Sequence, residues 1–315
     1  MTEFQDRTES LCPHCLRRIP ARRITEHEFV YLEKSCPEHG DLGRTLLWKN
    51  NPITYRDWKR PGGTAVERKS AAEALDGCPY DCGICANHRQ QTCAAILEVS
   101  RECNLSCPVC FAGSCSASSP DPDLNHISLM LQTLLENTGS CPIQLSGGEP
   151  TLRDDLPQIV ALARKIGFGH VQVNTNGIRL GQDPDYASAL KDAGVTNFFL
   201  QFDGTTDETH RRIRGASLMD HKIRAIARCA QLKVGVVLVP TIVKSVNDHQ
   251  IGAIIQFAKN WIPTVKAVHF QPITFMGRYP FAPCNEDRVL IPDILCAIEK
   301  QTGGELRAEN LIPSG

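Results

Sequence analysis

From residue 94 onward the chain alternates between two textures. Short apolar runs read as strands: AAILEVS (94–100), PIQLSG (142–147), HVQVNTN (170–176), NFFLQFD (197–203), VGVVLVPTI (234–242) and VKAVHFQPI (265–273). Between them lie stretches with apolar residues three and four apart, the spacing of an amphipathic helix. LPQIVALARKIG carries that spacing and stops at Gly167, where a helix end favours glycine. YASALKDAG, HKIRAIARCAQLK and IGAIIQFAKNW follow the same pattern. Six strands alternating with helices predict parallel β/α units with right-handed crossovers. Six units are too few for a closed eight-stranded barrel, so the expected fold class is α/β, a partial (β/α)6 TIM-like barrel. The strands end in polar or glycine-containing tips, SGGEP, NTNG, QFDG, VPT and FQP. In such folds ligands meet the carboxyl ends of the strands.

The first ninety or so residues read differently. They show little periodicity, are rich in Cys, Pro and Gly, and predict a small Cys-rich N-terminal metal-binding extension. The expected division is a metal module over 1–60, a linker and auxiliary segment over 61–93, a core over 94–290, and a C-terminal helix and tail over 291–315.

Charge and composition then exclude several classes. The 315 residues carry 34 Lys+Arg against 35 Asp+Glu, a balance that speaks against a basic nucleic-acid binder or a polybasic membrane tail. No apolar run approaches the ~20 residues of a membrane span, and the polar start MTEFQDRTES is no signal peptide. The expectation is a cytoplasmic protein with no transmembrane segment and no nucleic-acid partner. Fifteen cysteines in such a chain point to metal ligands rather than disulfides. Ten of them fall into three groups before residue 111, whereas Cys115, Cys141, Cys229, Cys284 and Cys296 are scattered.

The group that follows the first strand is ECNLSCPVCF, with Cys103, Cys107 and Cys110 spaced C-x3-C-x2-C. The same spacing describes a helix stripe, but Pro108 and Asn104 argue against a continuous helix. Three thiolates suit an iron–sulfur cluster, which normally takes four. One iron is then left without a protein ligand, and an open coordination site marks chemistry rather than scaffolding. An amino-carboxylate chelate from a small molecule suits that site. Upstream, GCPYDCGICANHRQQTC repeats the spacing at Cys78, Cys82 and Cys85 and adds Cys93, enough to close an auxiliary cluster, with His88 as a substitute ligand. At the start, CPHC (12–15) and SCPEHG (35–40) bring Cys12, Cys15, Cys36 and His39 into a knuckle pair, with His14 nearby. Cys3His spacing suits one mononuclear zinc, while four thiolates would suit rubredoxin-type iron equally.

The cysteine run after the first strand, followed by GGEP (147–150) at the second strand tip, resembles the radical S-adenosylmethionine (SAM) superfamily. The resemblance implies a [4Fe-4S] cluster on Cys103, Cys107 and Cys110 whose fourth iron is chelated by the amine and carboxylate of SAM. Reduction then cleaves SAM to methionine and a 5′-deoxyadenosyl radical, which abstracts hydrogen from the substrate. Val109 and Phe111 would pack near the adenine, and the backbone of Gly147, Gly148, Glu149 and Pro150 would receive the SAM amino group. Asn174, Asn176, Gln201 and Asp203 would bond the ribose or the SAM carboxylate, or serve as turn residues.

The longer series of motifs resembles one subgroup that includes archaeal tetraether-lipid synthases, pterin methyltransferases and a shorter bacterial radical SAM (seleno)protein group. This resemblance implies an auxiliary [4Fe-4S] cluster, a small-molecule or lipid-like substrate, and a flavodoxin/ferredoxin-type reductant. Hydrogen abstraction from an unactivated carbon would lead to C–C bond formation or methylation. Phe275 and Met276 suit an apolar substrate or core packing. The rival reading is a non-catalytic multi-cluster electron carrier, which has no need of a six-unit scaffold or a glycine-lined pocket. Two features depart from the family pattern. Cys115 lies five residues past Cys110, and a fourth ligand there would close the open iron. The sequence ends at ENLIPSG, where relatives continue, and a UGA selenocysteine codon read as a stop after Gly315 would account for it.

Overall fold

A computed structural model describes residues 2–58, 92–114, 120–280 and 283–313, together with 73 and 75. Cys78, Cys82, Cys85, His88 and Cys115 lie outside the described residues. The described chain forms two compact units, one from 2–58 with 283–313 and one from 92–280.

The first unit is built on a four-stranded antiparallel sheet in sequence order: β1 (Thr2–Leu11), β2 (Arg18–Glu26), β3 (Phe29–Cys36) and β4 (Gly40–Lys49). Its strands are long, although the sequence shows little periodicity there. The reason is that few positions are buried: on β2 only Ile19, Ala21 and Ile24 are sequestered. Cross-strand charge pairs occupy much of the remaining surface. Arg23 meets Asp6 at 2.7 Å, and Arg44 bridges Glu33 at 2.5 Å and Glu26 at 2.9 Å. Opposite charges facing each other across an antiparallel pair are favourable, but they become visible only once the register is known. Helix α8 (Ile291–Gln301) belongs to this unit. Asn285, ahead of it, accepts from the Leu46 N–H at 2.8 Å and donates to the Arg44 carbonyl at 2.9 Å, while Lys49 meets Asp293 at 2.5 Å.

The second unit contains all six expected strands: β5 (Ala95–Ser100), β6 (Ile143–Gly147), β7 (Val171–Thr175), β8 (Asn197–Gln201), β9 (Gly235–Val239) and β11 (Val265–Val268). They form one parallel sheet in the order β5-β6-β7-β8-β9-β11, each beside its sequence neighbour, which is the arrangement of a partial barrel. The fifth and sixth apolar runs are each interrupted. Pro240 has no N–H to extend the ladder, and beyond it β10 (Thr241–Ile242) pairs instead with β12 (Gln271–Pro272).

The helices are α1 (Leu124–Thr138), α2 (Leu156–Ile166), α3 (Ile178–Gln182), α4 (Pro184–Asp192), α5 (Asp207–Arg214), α6 (Met219–Leu232) and α7 (Ile251–Asn260). α2 ends at Gly167 as its sequence predicts, with the Gly167 N–H returning to the Ala163 and Arg164 carbonyls. The main core lies between helices and sheet. Ile143, Leu145, Val171, Val173, Phe198, Leu200, Val236 and Leu238 meet Leu131, Ile159, Ala163, Leu190, Ile226 and Ile254. Because successive strand residues point to opposite faces, the alternate positions line the concave side.

Candidate functional site

The three cysteines sit on a loop that runs from the tip of β5 and is held by four neighbouring elements. The Gly148 N–H donates to the Ser100 carbonyl at 2.8 Å and the Glu149 N–H to the Glu102 carbonyl at 2.7 Å. Asn176 donates from Nδ2 to Asn104 at 2.7 Å. Val109 bonds the Ile213 carbonyl, and Cys110 exchanges two backbone bonds with Arg278, each 2.8 Å. The Arg278 guanidinium also donates to the Cys107 carbonyl at 2.6 Å and the Ser114 carbonyl at 3.0 Å. This is a loop fixed by hydrogen bonds, not the helical stripe that the spacing alone permits.

Gly147 and Gly148 are dictated by this close approach. A Cβ on Gly147 would fall 1.9 Å from the Ser100 oxygen, and one on Gly148 would fall 2.1 Å from the Glu102 oxygen. Only glycine lets the β6 tip lie against the cysteine loop. Burial pushes the Cys103 thiol up to about 11; a backbone bond from Leu105 opposes this, and the charges of Glu149, Cys107 and Cys110 add to it. Burial likewise raises Cys107, against the Arg214 charge. Three cysteines brought together on one loop, Cys107 buried and Cys103 and Cys110 partly exposed, are a donor set that a [4Fe-4S] cluster fits.

The side chain of Glu149 reaches the tip of β7. It is buried, and its carboxylate accepts from the Thr151 N–H (3.1 Å), Thr151 Oγ1 (2.5 Å), Thr175 Oγ1 (2.6 Å) and the Asn176 N–H (2.7 Å). It therefore joins the tips of β6 and β7. Pro150 is buried at the start of a 3-10 turn, Pro150–Leu152.

Asp203 is also placed differently from the expectation that it bonds the cofactor. It has no exposed surface, and its carboxylate is taken by Arg214 in a two-point pair (2.7 and 2.8 Å), by the Thr241 N–H (3.0 Å) and by Gln201 Nε2. Burial alone would raise its carboxyl, but the Arg214 guanidinium holds it below the ordinary range. Arg214 in turn donates to the Val109 carbonyl at 3.1 Å, and its charge opposes the rise of the Cys107 thiol. Asp203 thus acts on the cysteine loop through Arg214, and Gln201 is tied to it from the side.

Lys222 completes this network from α6. It is wholly buried and donates to the Asn176 carbonyl at 2.5 Å and to Gln201 Oε1 at 2.9 Å, joining the tips of β7 and β8. Burial lowers its pKa to about 7, with Asp203 opposing the shift. The unfolded chain keeps that proton up to about 10.4. Between the two values the unfolded state binds more protons, so this group makes stability rise with pH. Lys222→Met is expected to remove that rise, measured as the difference between urea midpoints at pH 7 and pH 9 for variant and parent.

The remaining candidates separate. Val109 is buried with Ile213, Val243 and Ile273, and Phe275 packs on the same group, whereas Phe111 and Met276 are exposed. Asn176 and Gln201 reach the tips, and Asn174 lies lower, bonded to Gln172 and Gln144. Cys93 is exposed. Sequence reading missed Arg214, Lys222 and Thr175. Charge inside a helix reads as a solvated face, and only the two-residue step from Gln201 to the carboxylate of Asp203 hints that a buried cation faces it.

In the first unit Cys12, Cys15, Cys36 and His39 place their ligand atoms within 4.8 Å of one another. His39 Nδ1 lies 3.6 Å from Cys12 Sγ and 3.5 Å from Cys36 Sγ, and the Cys15 and Cys36 sulfurs are 3.8 Å apart. Tetrahedral zinc at its usual bond lengths sets sulfur–sulfur separations of about 3.8 Å and sulfur–nitrogen separations of about 3.6 Å. Geometry and donor set both fit zinc. Among the described residues the all-thiolate iron site is not formed, because the fourth donor is an imidazole. His14 stacks on His39, with ring centroids 5.0 Å apart. His39→Ala is expected to lose most bound zinc, measured by elemental analysis, with the iron content unchanged.

The comparisons with known proteins follow the same division. Residues 97–258, about half of the chain, match the radical SAM superfamily. The chain belongs to that superfamily. Residues 4–49 match the HMPTM N-terminal zinc ribbon domain. The radical SAM chain is 39% identical to the 7,8-dihydro-6-hydroxymethylpterin dimethyltransferase of Methanocaldococcus jannaschii, over 98% of its own length and 61% of that protein's. It is 30% identical to the Fe-coproporphyrin III synthase of Methanosarcina barkeri over 58% of its own length and 44% of that protein's. Among solved structures, native anSMEcpe with bound AdoMet superposes with a TM-score of 0.51 at 21% identity, covering 67% of this chain and 59% of that one, a likeness of fold. The chain thus spans less than two thirds of these proteins. No helix among the described residues is long and apolar enough to cross a membrane.

Proposed function

We propose that this radical SAM chain binds SAM at the tips of β5 to β8, and that it serves C–C bond formation or methylation at an unactivated carbon of a small molecule. The observation that carries this reading is the pressing of the bare Gly147–Gly148 backbone against the three-cysteine loop. Cys103, Cys107 and Cys110 would hold a [4Fe-4S] cluster, which when bound with SAM supplies reductive cleavage and hydrogen abstraction. The N–H groups of Gly148 and Glu149 are already taken. A SAM amine, as a donor, would therefore meet carbonyl oxygens of this segment. Asn176 and Gln201 lie at the adjacent tips for the ribose or the carboxylate. Lys222, Glu149 and Asp203 hold those tips, and Arg214 places a fixed positive charge beside the thiolate of Cys107.

The methyltransferase name of the Methanocaldococcus relative favours a pterin-like substrate over a lipid. Cys93 would join Cys78, Cys82 and Cys85 in an auxiliary [4Fe-4S] cluster. A flavodoxin/ferredoxin-type reductant and a cytoplasmic setting suit these oxygen-sensitive groups. The test is anaerobic reconstitution, followed by dithionite and SAM with chromatographic detection of 5′-deoxyadenosine. Product from the parent and none from Cys103→Ala supports the reading. A redox-active cluster that yields no product would favour the electron carrier instead.

A further inference from the structure

Beneath the strand tips, the concave face of the sheet departs from what a packed barrel interior requires. Such interiors are filled by layers of bulky branched aliphatic side chains. Here one register row runs Ile96, Gln144, Gln172, Asn197 and Gly235 across five strands. The next places Asn174 beside Phe199, and Phe199 beside Val237. Four carboxamides thus occupy adjoining interior positions.

They bond in one direction. Asn197 Nδ2 donates to Gln172 Oε1 at 3.0 Å, Gln172 Nε2 to Asn174 Oδ1 at 3.0 Å, and Asn174 Nδ2 to Gln144 Oε1 at 3.1 Å. One end of this chain is the Gln144 amide nitrogen, a donor. The other is Asn197 Oδ1, an acceptor that is buried without a partner. A buried acceptor left unpaired carries a desolvation cost that a donor from a ligand would relieve. Flanking the amides are two apolar faces. Ile96 is 64% exposed, and the Phe199 ring lies against His269 with centroids 5.8 Å apart.

We propose that this carboxamide ladder is the substrate floor, and that it selects a planar nitrogen heterocycle with a lactam edge, a ring N–H beside a carbonyl. Asn and Gln recognise such edges by paired donor and acceptor bonds, while Phe199 and Ile96 offer surfaces for the ring. An acyl chain would leave four amides facing hydrocarbon. Asn174, the uppermost amide, lies two residues below Asn176 on β7, roughly 7 Å along the strand, and the Gln144, Gln172 and Asn197 row two residues lower still, so a ring held against Asn174 directs its upper substituent to the tips. This rests on the reading of the tips as the SAM site, and the experiment separates the two.

The anaerobically reconstituted full chain is titrated by fluorescence with lumazine and with 1,3-dimethyllumazine, whose ring edge is blocked, and in parallel with SAM. Saturable lumazine binding, at least tenfold weaker for the dimethyl compound and at least tenfold weaker in Gln144→Met with SAM affinity kept, is the expected result. Lumazine bound no better than its dimethyl derivative, or not at all by protein that binds SAM, overturns the ladder and leaves the SAM site standing. Failure of the parent to bind SAM overturns both. The comparison of the two ligands on the parent decides the matter even where Gln144→Met fails to fold.

Discussion

Arg214→Met is expected to destabilise the second unit by about 3–5 kcal/mol, because it strands the fully buried Asp203 carboxylate. For a domain of this size that corresponds to a fall in melting temperature of roughly 10 °C. The loss reaches the cysteine loop as well, since Arg214 holds the Val109 carbonyl. Arg214→Lys keeps the charge but not the planar fork that meets both Asp203 oxygens, so it is expected to fall between parent and Met variant. Calorimetry on the series, with the double variant Asp203→Asn/Arg214→Met added, separates the mechanisms. Removing both partners leaves no buried unpaired charge, so the double variant is expected to melt above Arg214→Met. A double variant as damaged as the sum of its parts would mean that Arg214 acts mainly by packing.

Glu149→Ala is expected to cost about 4 kcal/mol and to weaken SAM binding at least a hundredfold. The two oxygens of Glu149 accept four bonds, two from backbone N–H groups and two from threonine hydroxyls, all at a residue that is 1% exposed. Each buried donor left without a partner costs about 1–3 kcal/mol. The larger consequence is geometric, because Thr175 and Asn176 are held to the β6 tip only by this carboxylate among the bonds described. Glu149→Gln keeps one acceptor oxygen but presents an NH2 group to another of the donors, so partial loss is expected. Calorimetric titration with SAM beside thermal melts checks both effects. Undiminished SAM affinity in Glu149→Ala would show that the tips hold their position without it.

Much of the second unit was legible from the sequence because its strands are buried on the helix side and so read as apolar runs. Val171 and Val173, or Phe198 and Leu200, announce a strand whatever lies opposite them. The β2–β3–β4 sheet was not legible, because its strands are held by cross-strand pairs such as Arg44 with Glu33 and Glu26. Those pairs depend on a register that no single strand contains. The ligand cysteines announce themselves by spacing, and so does the glycine pair at 147–148. Arg214, Lys222 and Thr175 do not. Their roles come from what the fold brings to them, a buried carboxylate and two strand tips distant in sequence. Asp203 illustrates the converse error. A carboxylate at a strand tip suggests a ligand contact, but here its partners are Arg214, Gln201 and the Thr241 N–H, and no surface remains for a cofactor.

The most direct test of the account is the electron paramagnetic resonance spectrum of the dithionite-reduced, reconstituted chain, recorded with and without SAM. If the cysteine loop leaves one iron for an outside chelate, SAM changes the g-values of a cluster signal, and Cys107→Ala removes both the signal and the change. A spectrum that SAM does not alter, from a protein with its full complement of iron, would contradict the central claim.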